Sequence, residues 1–237
     1  MTQQENTDNL FQLMTTKSDM KQQVYRNTRA ALGLIKNRIL ELEQTYRLYS
    51  KKIKTERDPT PFEWNSIGDF EIELKFGGDV LLFLMHTNVF EFPRAHDVMR
   101  TDYIRDDRNR SYCGIINIYN FLADSFKYNR VNDTGYLIGR IFINKENHYF
   151  VEGKRELGFL YNNFGKHEFD QEAVDSLLEA AITYTINFDL LTPDYDLVKE
   201  VSVYEMKNTM DTISIKTAKR LGFKFQADMK NTTGDPE

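Results

Sequence analysis

Residues 69–86 contain two strand-like segments joined by a pair of glycines, and this feature constrains the fold more than any other. The first segment, DFEIELKF, alternates apolar and polar side chains, as a strand with one buried face does. Gly77 and Gly78 follow, and glycine tolerates the positive φ angles that a tight hairpin turn needs. The second segment, DVLLFLMH, is more apolar and indicates a more buried strand. Together they predict an antiparallel hairpin.

Further elements of the same kind follow along the chain. The segment LIGRIFINKENHYFVEG predicts a second hairpin that turns through residues 144–147. The segment DQEAVDSLLEAAITYTINFDLL places apolar residues at helical spacing and predicts a helix with Asp170 as its N-cap. Near the C-terminus, VSVYEM, TISIKT and GFKF predict short strands.

The segment CGIINIYNFLADSFKY, residues 113–128, has two interpretations. Its apolar run resembles a strand, but its polar positions recur at spacings of three and four, which favours an amphipathic helix. These polar positions are Asn117, Asn120, Asp124 and Lys127. Cys113 would then begin a helix, where the helix dipole would lower its pKa, or it would simply fill the core as lone cysteines often do.

A heptad pattern predicts one long helix over residues 17–57. Pro59 ends it, because proline disfavours the helical conformation in the residue before it. The apolar residues of the seam, which we predict to form an association helix, are Leu32, Ile35, Ile39, Leu42, Tyr46, Tyr49 and Ile53. Charge neither forbids nor specifies a parallel homodimer, so an antiparallel pair or packing on the chain's own sheet is equally consistent with the pattern.

The same helix carries apolar residues off the seam and an excess of positive charge. Leu34, Leu40 and Leu48 lie on its far side, so we expect it to contact both a second helix and its own domain. Residues 17–57 contain eleven Lys or Arg against four acids. The cations that could bind an anionic partner at the C-terminal end are Lys51, Lys52, Lys54 and Arg57. The helix dipole favours cations at that end as well.

These elements predict an α+β fold, in which a long N-terminal helix precedes an antiparallel sheet of hairpins with two or three packed helices. We expect a frayed N-terminus over residues 1–16, the long helix over 17–57, the α+β domain over 62–225 and a flexible tail over 226–237. A chain of 237 residues with 41% hydrophobic residues can bury a core without disulfides. The single cysteine, the absence of a signal-like start and the lack of a long apolar run predict a cytoplasmic protein without a membrane span.

Residues 94–112, RAHDVMRTDYIRDDRNRSY, form the most reactive-looking stretch of the chain. Acids and arginines are interspersed, so mutual neutralisation on a solvated connection is the simpler interpretation. A functional interpretation depends on position, because loops that follow sheet strands often carry ligand contacts. The candidate ligand-binding residues are Arg94, His96, Asp97, Arg100 and Asp102.

Glu73 and Lys75 match the short acidic-x-Lys pattern of metal-dependent nucleases, in which the acid holds Mg²⁺ and the lysine steadies the scissile phosphate. An edge strand with alternating charges on its wet face explains the same two residues. No second acid stands at the expected place, so Glu73 and Lys75 are weak catalytic candidates, and further acids would have to come from residues 97–107.

Other motifs that would identify a reaction are missing from the sequence. The four histidines show no zinc-binding spacing, although they could converge in space, and no glycine loop matches a phosphate-binding fingerprint. The sequence therefore identifies no metal, no cofactor and no enzyme class. It favours a non-enzymatic intracellular module that binds a ligand or a protein, with its helix used for homo-oligomerisation or for docking a helical partner. The alternatives are a metal-dependent phosphodiesterase or nuclease and a nucleic-acid-associated protein that uses the basic helix.

Overall fold

The computed structural model describes residues 3–53, 58–154, 157, 164–190, 192, 194–204 and 206. A long helix was predicted over residues 17–57. Among the described residues, helical conformation begins at Gln3 and continues to Lys52. It comprises helix α1 (Gln3–Leu13), one turn of π-helix (Met14–Ser18) and helix α2 (Asp19–Lys52). Among the described residues, no helix is both long enough and apolar enough to cross a membrane.

The described part of the chain contains a seven-stranded antiparallel sheet, which confirms the predicted α+β fold. The strands are β1 (Phe62–Ser66), β2 (Glu71–Phe76), β3 (Asp79–Met85), β4 (Phe90–Glu91), β5 (Tyr112–Leu122), β6 (Tyr136–Asn144) and β7 (Tyr149–Gly153). Their order in the sheet is β1-β2-β3-β5-β6-β7, and the short β4 pairs with the beginning of β5. The order follows the chain closely, so most connections are hairpins or short excursions.

The remaining helices whose bounds lie within the described residues are short, with one exception. They are α3 (Asp102–Asp106), α4 (Ala123–Lys127), α5 (Gln171–Ile186) and α6 (Tyr195–Val198), and two 3₁₀ turns lie at Asp97–Arg100 and Arg108–Ser111. Helix α5 begins where it was predicted, because the Asp170 side chain accepts a hydrogen bond from the backbone N–H of Ala173 at 2.9 Å.

Both predicted hairpins are confirmed. Phe76 pairs with Asp79 across the first turn, and Gly77 has a φ of 58°, which is the left-handed conformation that glycine adopts without strain. The second hairpin joins β6 to β7, and Asn147 in its turn has a φ of 61°. Asparagine is one of the residues that tolerate this conformation best.

The main core lies between one face of the sheet and the helices α2 and α5. Its fully buried side chains include Ile35 and Ile39 of α2, Leu74 of β2, Phe83 of β3 and Val174 of α5. A second, smaller core covers the opposite face at one end of the sheet. It is formed by Phe92, Ile104, Cys113, Phe142, Phe150 and Phe164. The 94–112 stretch runs over this second core.

Three local predictions are wrong. Residues 112–122 form strand β5 instead of a helix, and only Ala123–Lys127 are helical. Cys113 therefore does not begin a helix; it is buried in the strand, and burial raises the pKa of its thiol instead of lowering it. In VSVYEM, Val203 and Tyr204 are helical rather than extended. The predicted strands TISIKT and GFKF and the 226–237 tail lie outside the described residues.

Candidate functional site

The predicted association seam lies largely against the chain's own sheet. Leu32, Ile35 and Ile39 are at most 4% exposed in the main core, and Leu42 packs against it. The Tyr46 hydroxyl donates to the backbone oxygen of Thr60 at 2.8 Å. Only the end of the seam, Tyr49 and Ile53, is exposed. Charging Ile39 would therefore disrupt the folded domain itself, so the free surface of the helix has to be sought elsewhere.

The N-terminal part of the long helix projects beyond the body of the protein. Every residue from 4 to 19 is exposed, and we call residues 3–19 the arm. The arm carries four apolar side chains that are more than half exposed, namely Leu10, Phe11, Leu13 and Met14. Its base is held by Lys17 and Lys21, whose Nζ atoms lie 5.5 and 5.8 Å from the centre of the Tyr112 ring.

The π-helical turn changes the direction in which the arm faces. The hydroxyls of Thr15 and Thr16 donate to backbone oxygens one turn earlier, including Thr16 to Gln12 at 2.7 Å. Such back-bonding competes with the regular helix ladder. A π-bulge inserts one residue into a helix, and one residue corresponds to about 100° of rotation. By this spacing, Leu10 and Met14 are rotated away from the line of Ile35 and Ile39 and toward the line of the solvent-facing residues of α2.

The solvent side of α2 continues this surface. By helical spacing it carries Ala30, Gly33, Leu40 and Leu48, which we call the far face. Leu48 is 62% exposed, and a Cβ added to Gly33 would have nothing within 4 Å. Of the off-seam leucines, only Leu34 contacts the main core. An uncovered surface therefore follows the helix from the arm to its C-terminal end.

The two ends of this helix carry opposite charges. Glu5 and Asp8 lie in the arm, whereas Arg47, Lys51 and Lys52 lie in the last two turns of α2. Lys51 and Lys52 are exposed, as the prediction of an anionic partner requires, while Lys54 and Arg57 lie outside the described residues. The long helix is thus acidic at its N-terminal end and basic at its C-terminal end.

Two ion pairs lie within the charged 94–112 stretch. Asp97 lies 3.5 Å from Arg100, Asp102 lies 3.2 Å from Arg105, and Arg94 is exposed. Exposed ion pairs of this kind contribute little to stability or recognition. His96 differs from the other four ligand candidates, because its Nε2 lies 3.2 Å from Glu152 and its Nδ1 accepts from the backbone N–H of Val98.

A polar cluster that sequence inspection missed fastens this stretch to the β6–β7 hairpin. It consists of Tyr103, Arg110, Asn144, Glu146 and His148, and we call it the clasp. The Tyr103 hydroxyl lies 3.0 Å from Glu146 Oε2, 2.7 Å from His148 Nδ1 and 2.7 Å from the Asn144 amide that donates to it. The Arg110 Nε donates to both carboxylate oxygens of Glu146 at 3.0 Å. Its members satisfy one another, as in a structural anchor.

Electrostatics in the clasp also indicate an anchoring role. Burial raises the pKa of Tyr103, so its hydroxyl stays protonated at neutral pH and serves as a hydrogen-bond donor. Burial opposes ionisation of Glu146, but the hydrogen bonds from Arg110 and Tyr103 hold its pKa below its ordinary value. Beside the clasp, the Lys145 ammonium lowers the pKa of Asp107. Both carboxylates are therefore more acidic in the folded than in the unfolded chain.

This difference predicts how stability depends on pH. Because the folded pKa values of Asp107 and Glu146 are lowered, their contribution is present above the unfolded value of about 4 and is lost as the pH falls through the folded values. We expect Glu146→Gln to lower the free energy of unfolding at pH 7 and to flatten its acid dependence, measured by urea denaturation between pH 2 and 7. Asp97→Asn, at a side chain that is 94% exposed, is the control and should leave both unchanged.

The residues of the nuclease hypothesis do not assemble. The Lys75 ammonium lies 3.3 Å from Glu63 on the neighbouring strand, and Glu73 is separated from β6 and β7 by the strands β3 and β5. Asp107 and His96, from the stretch that was to supply further acids, contact Lys145 and Glu152 on the β6–β7 hairpin. Within the described ranges, no group of three His, Cys, Asp or Glu residues could hold a metal ion.

The histidines each lie in a different environment. His86 packs edge-on against Phe90 at 4.7 Å, His148 belongs to the clasp, and His167 is exposed.

Two features could not be found from the sequence alone. The arm depends on a helical irregularity, and the clasp depends on contacts between distant segments. The consecutive threonines 15 and 16 were the one local signal for the arm.

No protein-family model, no curated protein and no solved structure matches this chain.

Proposed function

We propose that the protein is an interaction module that pairs with a second copy of itself through the arm and the far face of its long helix. The observation that carries this proposal is the arm, in which Leu10, Phe11 and Met14 are exposed; by helical spacing they fall on the side of the helix that carries Leu40 and Leu48. Isolated helical segments of this length are marginally stable in water, so an uncovered apolar side gains stability when a partner covers it.

Charge supports an antiparallel arrangement of the two helices. In that arrangement the acidic arm of one copy, with Glu5 and Asp8, lies beside the basic C-terminal turns of the other, with Lys51 and Lys52. The apolar arm residues would then meet Leu48 of the second copy. The middle of the interface would bring Ala30 and Gly33 of the two copies together, and such small residues permit a close approach of the helices.

The mass of the purified protein over a range of concentrations tests this proposal. We expect light scattering coupled to gel filtration to give twice the mass of the chain at micromolar concentration. The double variant Leu10→Gln and Met14→Gln keeps good helix formers but removes the apolar contacts. We expect it to weaken dimerisation about 100-fold, because about 3 kcal/mol of apolar burial is lost in total from the two symmetric copies.

The matched control substitutes apolar residues that are at least as exposed but lie on other elements. Ile186→Gln and Val131→Gln, at 62% and 80% exposure, should leave the dimer intact. A monomeric wild type at all concentrations, or a dimer that both double variants weaken equally, would contradict the proposal.

A further inference from the structure

Arg130 is the most deeply buried cation among the described ion pairs, with only 7% of its side chain exposed. The carboxylate nearest to it, that of Asp133, lies 3.7 Å from its Nη1 atom, which is longer than a hydrogen bond. Its Nε atom has no hydrogen-bond partner among the residues that the structure describes. A guanidinium has five N–H donors, and leaving them unpaired in a buried position is costly.

The local backbone holds Arg130 in this position. Its N–H donates to the Ser125 backbone oxygen at 2.8 Å, and its carbonyl oxygen accepts from the Asp133 N–H at 2.9 Å. The Asp133 carboxylate is itself held by the Ser125 hydroxyl at 2.8 Å. The guanidinium also lies 5.5 Å from the centre of the Tyr128 ring. The backbone of Arg130 is thus fixed by hydrogen bonds, while the Asp133 carboxylate accepts its hydrogen bond from Ser125 rather than from the guanidinium.

Arg130 is among the residues that line two open cavities. The larger, about 410 Å³, lies between the β2–β3 turn, the end of β5 and helix α4. The smaller, about 260 Å³, is lined by Phe121 and Phe126 as well as by Arg130. The larger cavity is within the size range of pockets that hold small molecules. A buried cation that has an unpaired Nε donor and borders such a cavity is the arrangement that an anionic ligand completes.

Two further cations line the larger cavity. Lys75 and Lys127 share its wall with Arg130, against a single acid among the described lining residues, Asp124. Lys75 also contacts Glu63 at 3.3 Å, and Lys127 is exposed, with its Nζ 5.0 Å from the Tyr128 ring. Neither lysine is buried, so both could turn toward a bound anion at little cost.

We propose that this cavity binds a small molecule that carries a phosphate group. Arg130 provides the directional, forked contact to the phosphate oxygens, and Lys75 and Lys127 provide point charges around it. Pro61 and Leu190 supply an apolar wall for the organic part of the molecule. The site lies on different elements from the arm and the far face, so it is independent of the proposed self-association.

Thermal unfolding and calorimetric titration with inorganic phosphate and glycerol 3-phosphate test this site, with sodium chloride at matched ionic strength as the reference. We expect both probes to raise the unfolding temperature of the wild type in a saturable way. Arg130→Met should abolish the effect; its fold is checked by the same unfolding measurement, because the substitution leaves the Asp133 carboxylate without its ion-pair partner. Lys127→Gln should weaken binding about tenfold. Lys166→Gln, at an exposed lysine elsewhere, is the matched control and should bind as the wild type does.

Each other outcome would overturn the proposal. A wild type that responds to phosphate no more than to sodium chloride has no such site. Equal affinity in Arg130→Met and the wild type would remove the arginine from it. If Arg130→Met fails to fold, the Lys127→Gln variant decides, since unchanged affinity there is incompatible with the cavity. Binding to phosphatidic acid vesicles without a response to the soluble probes would assign the phosphate to a lipid rather than to a small molecule.

Discussion

Replacing Gly114 with alanine is expected to destabilise the protein by about 3 kcal/mol, the upper end of the usual cost of overpacking. Gly114 lies on β5 beneath helix α2, and a Cβ there would stand 2.0 Å from the Thr28 Oγ1 and 2.8 Å from the Thr28 Cβ. Thr28 is fully buried and its hydroxyl donates to the Val24 backbone oxygen at 2.8 Å. The side chain therefore has no room to withdraw, and the helix itself would have to move.

A double variant separates this contact from a general effect of alanine in the strand. Thr28→Ala removes the Oγ1 and Cγ2 atoms but keeps the Cβ, so we expect it to recover part of the loss caused by Gly114→Ala. Gly33→Ala is the control on the same helix. Its added methyl group meets nothing, and alanine is the better helix former, so stability should rise by up to about 1 kcal/mol.

Urea denaturation at low protein concentration measures five proteins, which are the wild type, Gly114→Ala, Thr28→Ala, the double variant of these two, and Gly33→Ala. The close packing of α2 on β5 would be contradicted by a Gly114→Ala variant as stable as the wild type. Full additivity of Thr28→Ala and Gly114→Ala would contradict it as well, because contacting residues that clash must show a coupling energy.

The elements that could be predicted from the sequence are those whose pattern is complete within a few residues. The β2–β3 hairpin was predicted because one of its faces is buried and the other is not, so Ile72, Leu74 and Phe76 alternate with charged residues. Helix α5 was predicted because its buried stripe and its N-cap are both local. In each case the burial pattern of one element follows from its own sequence.

Strand β5 could not be predicted in this way because it lies within the sheet. The main core covers one of its faces, and the second core covers part of the other. Ile116 and Ile118 face the main core, while Cys113 belongs to the second core on the other face. The alternation is therefore lost, as is usual for strands buried on both faces. Asn120 is buried as well, and its amide donates to Asp79 at 3.3 Å, so a polar residue that seemed to mark a helix surface is an interior contact.

The candidate sites were missed for a related reason. The clasp joins Tyr103 and Arg110 to the β6–β7 hairpin, and the cavity at Arg130 joins Lys75 to Leu190. Contacts over such separations leave no periodic signal in the sequence. The heptad seam shows the converse: a genuine apolar stripe at Leu32, Ile35 and Ile39 indicates burial but does not say whether the partner is a second helix or the chain's own sheet.

Reversing the charges at one end of the long helix is expected to weaken dimerisation about tenfold at low salt, and reversing both ends is expected to restore it. In the antiparallel arrangement, Lys51→Glu with Lys52→Glu places four acids together at each end of the dimer. Conversely, Glu5→Lys with Asp8→Lys places four bases together there. Each such contact is worth up to about 1 kcal/mol, and each occurs twice by symmetry.

The quadruple variant distinguishes this arrangement from its alternatives. In a parallel pair, each end faces its own copy, so charge reversal leaves like facing like and the combination restores nothing. The helix dipole cannot account for recovery either, because bases at the N-terminus and acids at the C-terminus both destabilise a helix and their effects accumulate.

The matched control is Lys154→Glu with Lys166→Glu, which changes the net charge as much as Lys51→Glu with Lys52→Glu does, but at exposed sites elsewhere. Sedimentation equilibrium at low salt and at 1 M NaCl measures the dimer constants, and the differences should vanish at about 1 M, where the Debye length is about 3 Å. Antiparallel pairing is wrong if the quadruple variant dimerises no better than either double variant.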